Sequence, residues 1–131
     1  MKDFQVLVVD DNEDTADTMA AFLVYFGFTV HVAYSGQSAI TDALADPPDA
    51  ILCDIGLPGL DGYEVVRRLS EELPRRPVLV ALTGRPECEV IRQGGLAGFD
   101  HYFLKPAELV EVGGLLSDYA IDRSRASSQR T

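Results

Sequence analysis

Residues 5–11 read Gln-Val-Leu-Val-Val-Asp-Asp, an apolar run of strand length that ends in two acids. Three later apolar runs also end in a polar residue: Ala50 to Cys53 before Asp54, Val78 to Leu82 before Thr83, and Tyr102 to Leu104 before Lys105. If these runs are neighbouring parallel strands, their carboxyl ends lie at one edge of a sheet, where open α/β folds bind their ligands. The sequence therefore predicts three carboxylates, one hydroxyl and one ammonium group at a single edge.

Strand-like and helix-like segments alternate five times along the chain. The predicted strands are Gln5 to Val9, Thr29 to Ala33, Ala50 to Asp54, Val78 to Thr83 and Tyr102 to Leu104. The predicted helices are Glu13 to Phe26, a segment from the Ser35 cap to about Leu44, Tyr63 to Leu73, a segment that begins near Pro86, and Ala107 to about Tyr119. This alternation predicts right-handed crossovers and a parallel sheet. The second strand contains Thr29 and His31 and is the expected edge.

The length and composition predict a single globular domain. The 131 residues are 47% hydrophobic and 24% charged, as in ordinary soluble proteins. No segment approaches the roughly 20 apolar residues needed to cross a bilayer, and the amino terminus lacks a signal-peptide core. We therefore expect a cytoplasmic protein without membrane contact, with its domain in residues 1–121 and a short, polar, disordered tail in residues 122–131.

The charge of the chain limits its partners. A net charge of −10, from 11 basic and 21 acidic residues, argues against direct nucleic-acid binding, which needs clustered Lys and Arg. Acidic clusters favour divalent cations and basic partner surfaces. The two cysteines, Cys53 and Cys88, and the two histidines, His31 and His101, have no metal-ligand spacing. We therefore expect both cysteines to be reduced thiols, and both histidines to be either solvated or packed against other residues and not to bind a metal.

Two interpretations fit the acid pair Asp10-Asp11. Asp11 or Asn12 can cap the following helix, but capping explains one acid and leaves the other without a role. Together with Asp54, the pair would place three carboxylates about 5 Å apart, and each pair would repel by roughly 3 kcal/mol at an effective dielectric constant near 20. Such a cluster normally holds a hard cation, and Mg²⁺ suits it because Mg²⁺ combines carboxylates, waters and phosphate oxygens.

The other strand ends predict phosphoryl transfer. A carboxylate such as that of Asp54 is a competent phosphoryl acceptor. The charge on the transferred group must be stabilised by cations and hydrogen-bond donors, which Lys105 and Thr83 can supply. Each residue alone has an ordinary explanation, as a loop acid, a surface lysine or a β-branched strand residue. Because all of them lie at the ends of predicted strands, we favour a phosphoryl-transfer site over these separate explanations.

These motifs resemble the receiver domain of response regulators in two-component signalling, over about residues 4 to 120. The matching stretches are Val-Val-Asp-Asp (8–11), Cys-Asp-Ile-Gly-Leu-Pro-Gly-Leu-Asp-Gly (53–62), Ala-Leu-Thr-Gly (81–84) and Tyr-Phe-Leu-Lys-Pro (102–106). The spacings between them also match the family. The Val-Ala-Leu-Thr-Gly and Ala-Gly-Phe-Asp-His stretches resemble receivers attached to hybrid histidine kinases.

The resemblance implies a flavodoxin-like (βα)₅ sheet in the order 2-1-3-4-5 and assigns each site residue a role. Asp54 would be phosphorylated by a sensor histidine kinase or a histidine phosphotransfer protein. Mg²⁺ would be bound by Asp11, Asp54 and the Gly56 carbonyl, with Asp10 acting through water. Thr83 and Lys105 would contact the phosphoryl group, and Tyr102 would be the switch aromatic that moves with Thr83. The protein would be a monomer or a weak dimer that depends on phosphorylation.

Other functions remain open at this point. An aspartate-nucleophile phosphatase would use similar chemistry, but it typically carries a second Asp two residues after the nucleophile, where this chain has Gly56. A dinucleotide-binding protein would need a Gly-rich turn after the first strand. A receiver-like module that binds partners without phosphorylation is a further possibility. The chain is expected to be either a stand-alone receiver or part of a longer protein.

Overall fold

The computed structural model describes residues 4–55, 62–83, 99–104 and 109–129. The strands are β1 (Gln5–Val9), β2 (Thr29–Ala33), β3 (Ala50–Asp54), β4 (Val78–Thr83) and β5 (His101–Leu104). The helices in the described part are α1 (Glu13–Tyr25), α2 (Gly36–Ala45), α3 (Gly62–Glu72) and α4 (Leu109–Gln129). The predicted helix near Pro86 lies outside the described residues, as does Cys88.

The five strands form one parallel sheet in the order β2-β1-β3-β4-β5. Every residue of β3 is buried, since this strand lies between β1 and β4 and is covered on both faces. The strand β2 lies at one edge, with the His31 side chain exposed. The predicted flavodoxin-like fold with a parallel sheet is therefore confirmed.

Alternating side chains of the strands feed two hydrophobic cores, one on each face of the sheet. The core beneath α2 and α3 includes Leu7, Val9, Ala39, Ile40, Ile51, Cys53, Val65, Leu69, Leu79 and Ala81. The core beneath α1 and α4 includes Val6, Val8, Ala16, Met19, Leu23, Leu52, Val80, Leu82, Val112 and Leu116. Cys53 is buried in the first of these cores, as the packing interpretation expected. Helices on both faces leave the strand ends as the place for a ligand.

Both ends of α1 follow local chemistry. Asn12 has extended backbone angles, and its side-chain oxygen accepts a hydrogen bond from the Thr15 amide at 3.1 Å. Asn12 is therefore the cap that the sequence had left open between Asp11 and Asn12. After the helix, Gly27 adopts a φ of 109°, a left-handed conformation that a side chain would disfavour.

Two acids tie the amino-terminal ends of the strands together. Asp49, just before β3, is buried and accepts a hydrogen bond from the Gln5 amide at 2.7 Å. Asp100, just before β5, accepts one from the Leu79 amide at 2.8 Å and pairs with Arg76 at 3.0 Å. These two carboxylates thus bind backbone amides at the edge of the sheet where the strands begin.

The helix α4 corrects the predicted carboxyl-terminal boundary. It runs to Gln129 and not to the predicted end near Tyr119. The segment after Tyr119 contains neither Gly nor Pro, so nothing in it stops helix propagation. Its polar composition had argued for fraying because the segment has little to bury. The domain boundary at residue 121 stays a prediction.

Candidate functional site

The register of the sheet brings Asp10 and Asp54 together. Val9 of β1 pairs with Cys53 of β3, so the next residue on each strand is an acid and the two acids leave the sheet side by side. The β3–β4 pairing continues past the strand end, since Asp54 lies opposite Leu82 and the Ile55 amide donates to the Leu82 carbonyl at 3.0 Å. The backbone of Asp54 is thereby held between β1 and β4, at the centre of the sheet edge.

Asp10 is held at the start of the β1–α1 loop. Its amide donates to the Ala33 carbonyl at 3.1 Å, which extends the pairing of β1 with β2. Its Oδ1 accepts a hydrogen bond from the Asn12 amide at 3.0 Å. The side chain is 1% exposed, whereas that of Asp11 is exposed. The two adjacent acids therefore have different environments, one enclosed and one open to solvent.

Asp10, Asp11 and Asp54 form a cluster of three carboxylates. One carboxylate oxygen from each residue lies within 4.8 Å of those of the other two. Three negative charges at this separation repel one another, and the repulsion is least screened at Asp10 and Asp54, which are 1% and 9% exposed. An all-oxygen donor set of this kind fits a hard divalent cation such as Mg²⁺. The predicted grouping of these three residues is thus present in the structure.

The structure places the remaining predicted site residues only in part. Thr83 is the last residue of β4 and lies opposite Leu104 at the end of β5, while Tyr102 lies opposite Ala81. For Thr83 and Tyr102, the structure describes the backbone and not the side chain. Gly56 and Lys105 lie outside the described residues. The roles assigned to these four residues stay predictions.

One contact beside the cluster was missed by sequence reasoning. The Tyr34 hydroxyl, just after β2, donates to the Asp17 carboxylate of α1 at 2.6 Å. This hydrogen bond raises the pKa of Tyr34 above its usual 10.0, with smaller contributions from desolvation and from the charges of Asp17 and Glu13. No local motif indicated the pair, since its members are 17 residues apart and meet only through the β1–β2 pairing.

Comparison with known proteins identifies the family. The family model of the response regulator receiver domain matches residues 6–114 of this chain. This chain belongs to the response regulator receiver family. The match includes all three acids of the cluster as well as Thr83 and Lys105. The receiver resemblance and the fold class predicted from the motifs are therefore confirmed.

Relatives of this chain include two mycobacterial regulatory proteins. The receiver is 35% identical over 127 residues to the response regulator MprA of Mycobacterium ulcerans, covering 97% of this chain and 51% of that protein. It is 38% identical over 107 residues to the probable transcriptional regulatory protein TcrX of Mycobacterium tuberculosis, covering 82% of this chain and 45% of that protein. The chain thus spans about half the length of these relatives.

Solved structures agree with this fold. A putative response regulator from Chloroflexus aurantiacus superposes with a TM-score of 0.77 at 31% identity, over 88% of this chain and 99% of that one. A CheY-like receiver domain protein from Methanospirillum hungatei gives a TM-score of 0.84 at 21% identity, over 95% and 99% of the two chains, and supports the fold alone. Within the described residues, no helix is long and apolar enough to span a membrane.

Proposed function

We propose that this receiver is a phosphorylation switch whose acceptor is Asp54 and whose phosphorylation depends on Mg²⁺. The observation that carries the proposal is the cluster of Asp10, Asp11 and Asp54 at the carboxyl edge of the parallel sheet. Asp54 suits the acceptor role because β3 is the central strand and the Ile55–Leu82 hydrogen bond fixes the backbone beside it. Its partly enclosed carboxylate faces the edge where the other two acids lie.

The proposed reaction transfers a phosphoryl group from a phosphohistidine to the Asp54 carboxylate. A carboxylate oxygen forms the new bond to phosphorus while the phosphorus–nitrogen bond breaks, and the donor imidazole leaves with the bonding electron pair and is protonated. Water later cleaves the acyl phosphate, which regenerates the carboxylate and releases inorganic phosphate. The domain assists its own modification and turns over no separate substrate.

Each residue of the site has a separate task in this proposal. Asp11 and Asp54, with the Gly56 carbonyl, would hold Mg²⁺ directly, and Asp10 would hold it through water. When bound, the cation supplies positive charge against the phosphoryl oxygens. Lys105 and Thr83 would add an ammonium group and a hydroxyl to those oxygens, and Tyr102 would report the change to the β5 face.

The partner and the setting follow from the same proposal. The phosphodonor would be a sensor histidine kinase or a histidine phosphotransfer protein, and the reaction would take place in the cytoplasm. With its net charge of −10, the chain would not bind nucleic acid directly. Phosphorylation would leave it a monomer or drive weak dimerisation. Asp54 would have to favour the active conformation by a few kcal/mol when phosphorylated, since smaller differences leave both states populated.

Intact-protein mass spectrometry tests the acceptor assignment. The chain is incubated with acetyl phosphate and Mg²⁺, beside the Asp54→Asn variant and a sample with the metal chelated. We expect a gain of one phosphoryl group in the wild type and in neither control. Asp49→Asn is a matched variant, because it removes a buried acid from the opposite end of the strands.

The other outcomes separate the alternatives. A gain that persists in Asp54→Asn would move the acceptor to another residue. No gain, with Mg²⁺ binding shown independently, would leave a strict requirement for a phosphohistidine donor or a module that works by binding alone. A phosphotransfer assay with a histidine phosphotransfer protein would decide between those two.

A further inference from the structure

Asn12 occupies a junction between the acidic cluster and α1. Its amide donates to Asp10 Oδ1 at 3.0 Å, its side-chain oxygen accepts from the Thr15 amide at 3.1 Å, and its carbonyl accepts from the Ala16 amide at 3.0 Å. One residue therefore connects a buried acid of the cluster to the first turn of a helix. Its backbone angles, φ −84° and ψ 107°, are those of a helix cap.

The β1–α1 loop is fixed on both sides of Asp11. On one side, the Asp10 amide is tied to the Ala33 carbonyl of β2 at 3.1 Å. On the other side, Asn12 is tied to α1. Asp11 lies between these two fixed points, so the orientation of its backbone depends on both of them. Without the Asn12 side chain, the second fixed point would be weakened.

The loop must resist electrostatic repulsion before a cation binds. One oxygen of each carboxylate lies within 4.8 Å of those of the other two. In the absence of the cation, the electrostatic energy of the cluster falls when the carboxylates move apart. Asp10 and Asp54 belong to the ends of strands and cannot move far, whereas Asp11 is exposed and belongs to the loop. The acid that would move away is therefore Asp11, unless the loop holds it in place.

We propose that Asn12 is a positioning residue that preorganises Asp11 for the cation. The inference rests on the proposed function, because it assumes that the cluster binds Mg²⁺. A ligand set held in its binding geometry loses less conformational freedom when the cation arrives. Asn12 touches neither the cation nor the phosphoryl group in this proposal and acts through the loop alone.

The chain contains a matched control. Ser35 caps α2 in the same way, with its Oγ accepting from the Ser38 amide at 3.1 Å, but it makes no contact with Asp10 or Asp11 among the hydrogen bonds of the described residues. Asn12→Ala and Ser35→Ala therefore each remove one helix cap of similar geometry. A role limited to helix stability would make the two variants equivalent.

The experiment is a Mg²⁺ titration followed by ¹H–¹⁵N correlation spectra of the full chain. The wild type is compared with Asn12→Ala, Asn12→Ser and Ser35→Ala, and the amide of Ile55 reports on the site. Thermal unfolding without metal is measured in parallel. Both alanine variants should lower the melting temperature by a similar amount, about 3–6 °C.

The Kd for Mg²⁺ in each variant distinguishes a positioning role of Asn12 from a role in helix stability alone. We expect the Kd for Mg²⁺ to rise about fivefold in Asn12→Ala and to stay near the wild-type value in Ser35→Ala. Asn12→Ser, which retains an oxygen able to accept from Thr15, should restore most of the affinity. An unchanged Kd in Asn12→Ala, or equal losses in both alanine variants, would overturn the inference while leaving the proposed function intact. Absence of Mg²⁺ binding in the wild type would overturn both.

Discussion

Asp10 and Asp11 are adjacent in the chain and differ in almost everything else. Asp10 is 1% exposed, and its Oδ1 accepts a hydrogen bond from the Asn12 amide. Asp11 is exposed and lies on the solvent side of the same loop. At the other end of the strands, the buried acid Asp49 accepts the Gln5 amide at 2.7 Å. Acids before the strands thus bind backbone amides, whereas the three acids after the strands also lie within 4.8 Å of one another.

Asp11 is the acid of the cluster that can be neutralised with least structural damage. Asp11→Asn keeps the shape of the side chain and removes one of the three charges. We expect the Kd for Mg²⁺ to rise about tenfold or more, and the stability of the metal-free protein to hold or increase as repulsion falls. Titration followed by nuclear magnetic resonance measures the affinity, and thermal unfolding measures the stability.

Asp14→Asn is the matched control for that variant. Asp14 lies in the first turn of α1, is exposed and carries the same charge, but it is outside the cluster. Its replacement should leave the Mg²⁺ affinity close to that of the wild type. Similar losses in the two variants would mean that net charge attracts the cation and that the three-acid cluster is not a site.

The Tyr34–Asp17 hydrogen bond predicts a pH effect. Because the contact with Asp17 favours the protonated phenol, the pKa of Tyr34 lies above 10.0. The stabilisation is therefore complete below the ordinary tyrosine pKa and is lost as the pH rises through the raised one. In Asp17→Ala, the pKa of Tyr34 should fall back toward 10.0. A titration with ¹³C-labelled tyrosine checks this, and Asp14→Ala should leave the value in place.

At the scale of elements, α1 and α4 meet through an aromatic ring and a glycine. The ring of Phe26, just after α1, is stacked on Phe28 at 6.1 Å with an interplanar angle of 2°. A Cβ atom on Gly113 would lie 2.9 Å from Phe26 Cε2, whereas one on the neighbouring Gly114 would meet nothing within 4 Å. Phe26 is 40% exposed, and its ring lies against the backbone of α4 at Gly113.

Replacing each of these two glycines by alanine separates helix propensity from packing. Alanine favours a helix interior over glycine by about 1 kcal/mol. Gly114→Ala should therefore stabilise the domain by roughly 0.5–1 kcal/mol. Gly113→Ala should gain less or lose stability, because the Phe26 ring must move off its stacked position. Chemical denaturation measures both, and equal gains would show that the ring gives way without cost.

At the scale of the whole molecule, the sheet order decides where the charge is concentrated. The central position of β3 between β1 and β4 places Asp54 beside the acids that follow β1. The chain as a whole carries a net charge of −10, so added salt relieves general repulsion as well as any local one. Specific binding of a cation has to be distinguished from this screening.

Magnesium removal provides that distinction. In millimolar MgCl₂, the melting temperature of the wild type should exceed that in NaCl of the same ionic strength. A ligand that binds the native state and not the unfolded state stabilises the protein. Chelation should return it to the NaCl value. In Asp11→Asn, the difference between the two salts should shrink to a small remainder. A wild-type protein equally stable in both salts would contradict binding at the cluster.

Much of the fold could be predicted because its signals are local. Buried parallel strands need continuous apolar runs, and the predicted strands β1, β3 and β4 coincide with those observed because such runs have few alternatives. Helix starts followed cap chemistry, as at Ser35. The end of α4 was misjudged because the polar segment after Tyr119 contains no Gly or Pro that would mark a stop.

The sequence by itself determined the strands, the edge position of β2 and the grouping of Asp10, Asp11 and Asp54, since parallel strands bring their carboxyl ends to one edge. Tertiary structure alone decided which residue caps α1, which acid is enclosed and which is open, and where the Phe26 ring lies. The cap is a local contact between Asn12 and Thr15, whereas the other two features depend on segments distant in the chain, such as Asp10 with Ala33 and Phe26 with Gly113. Periodicity reports which face a residue occupies, but the neighbour that packs on that face comes from another element.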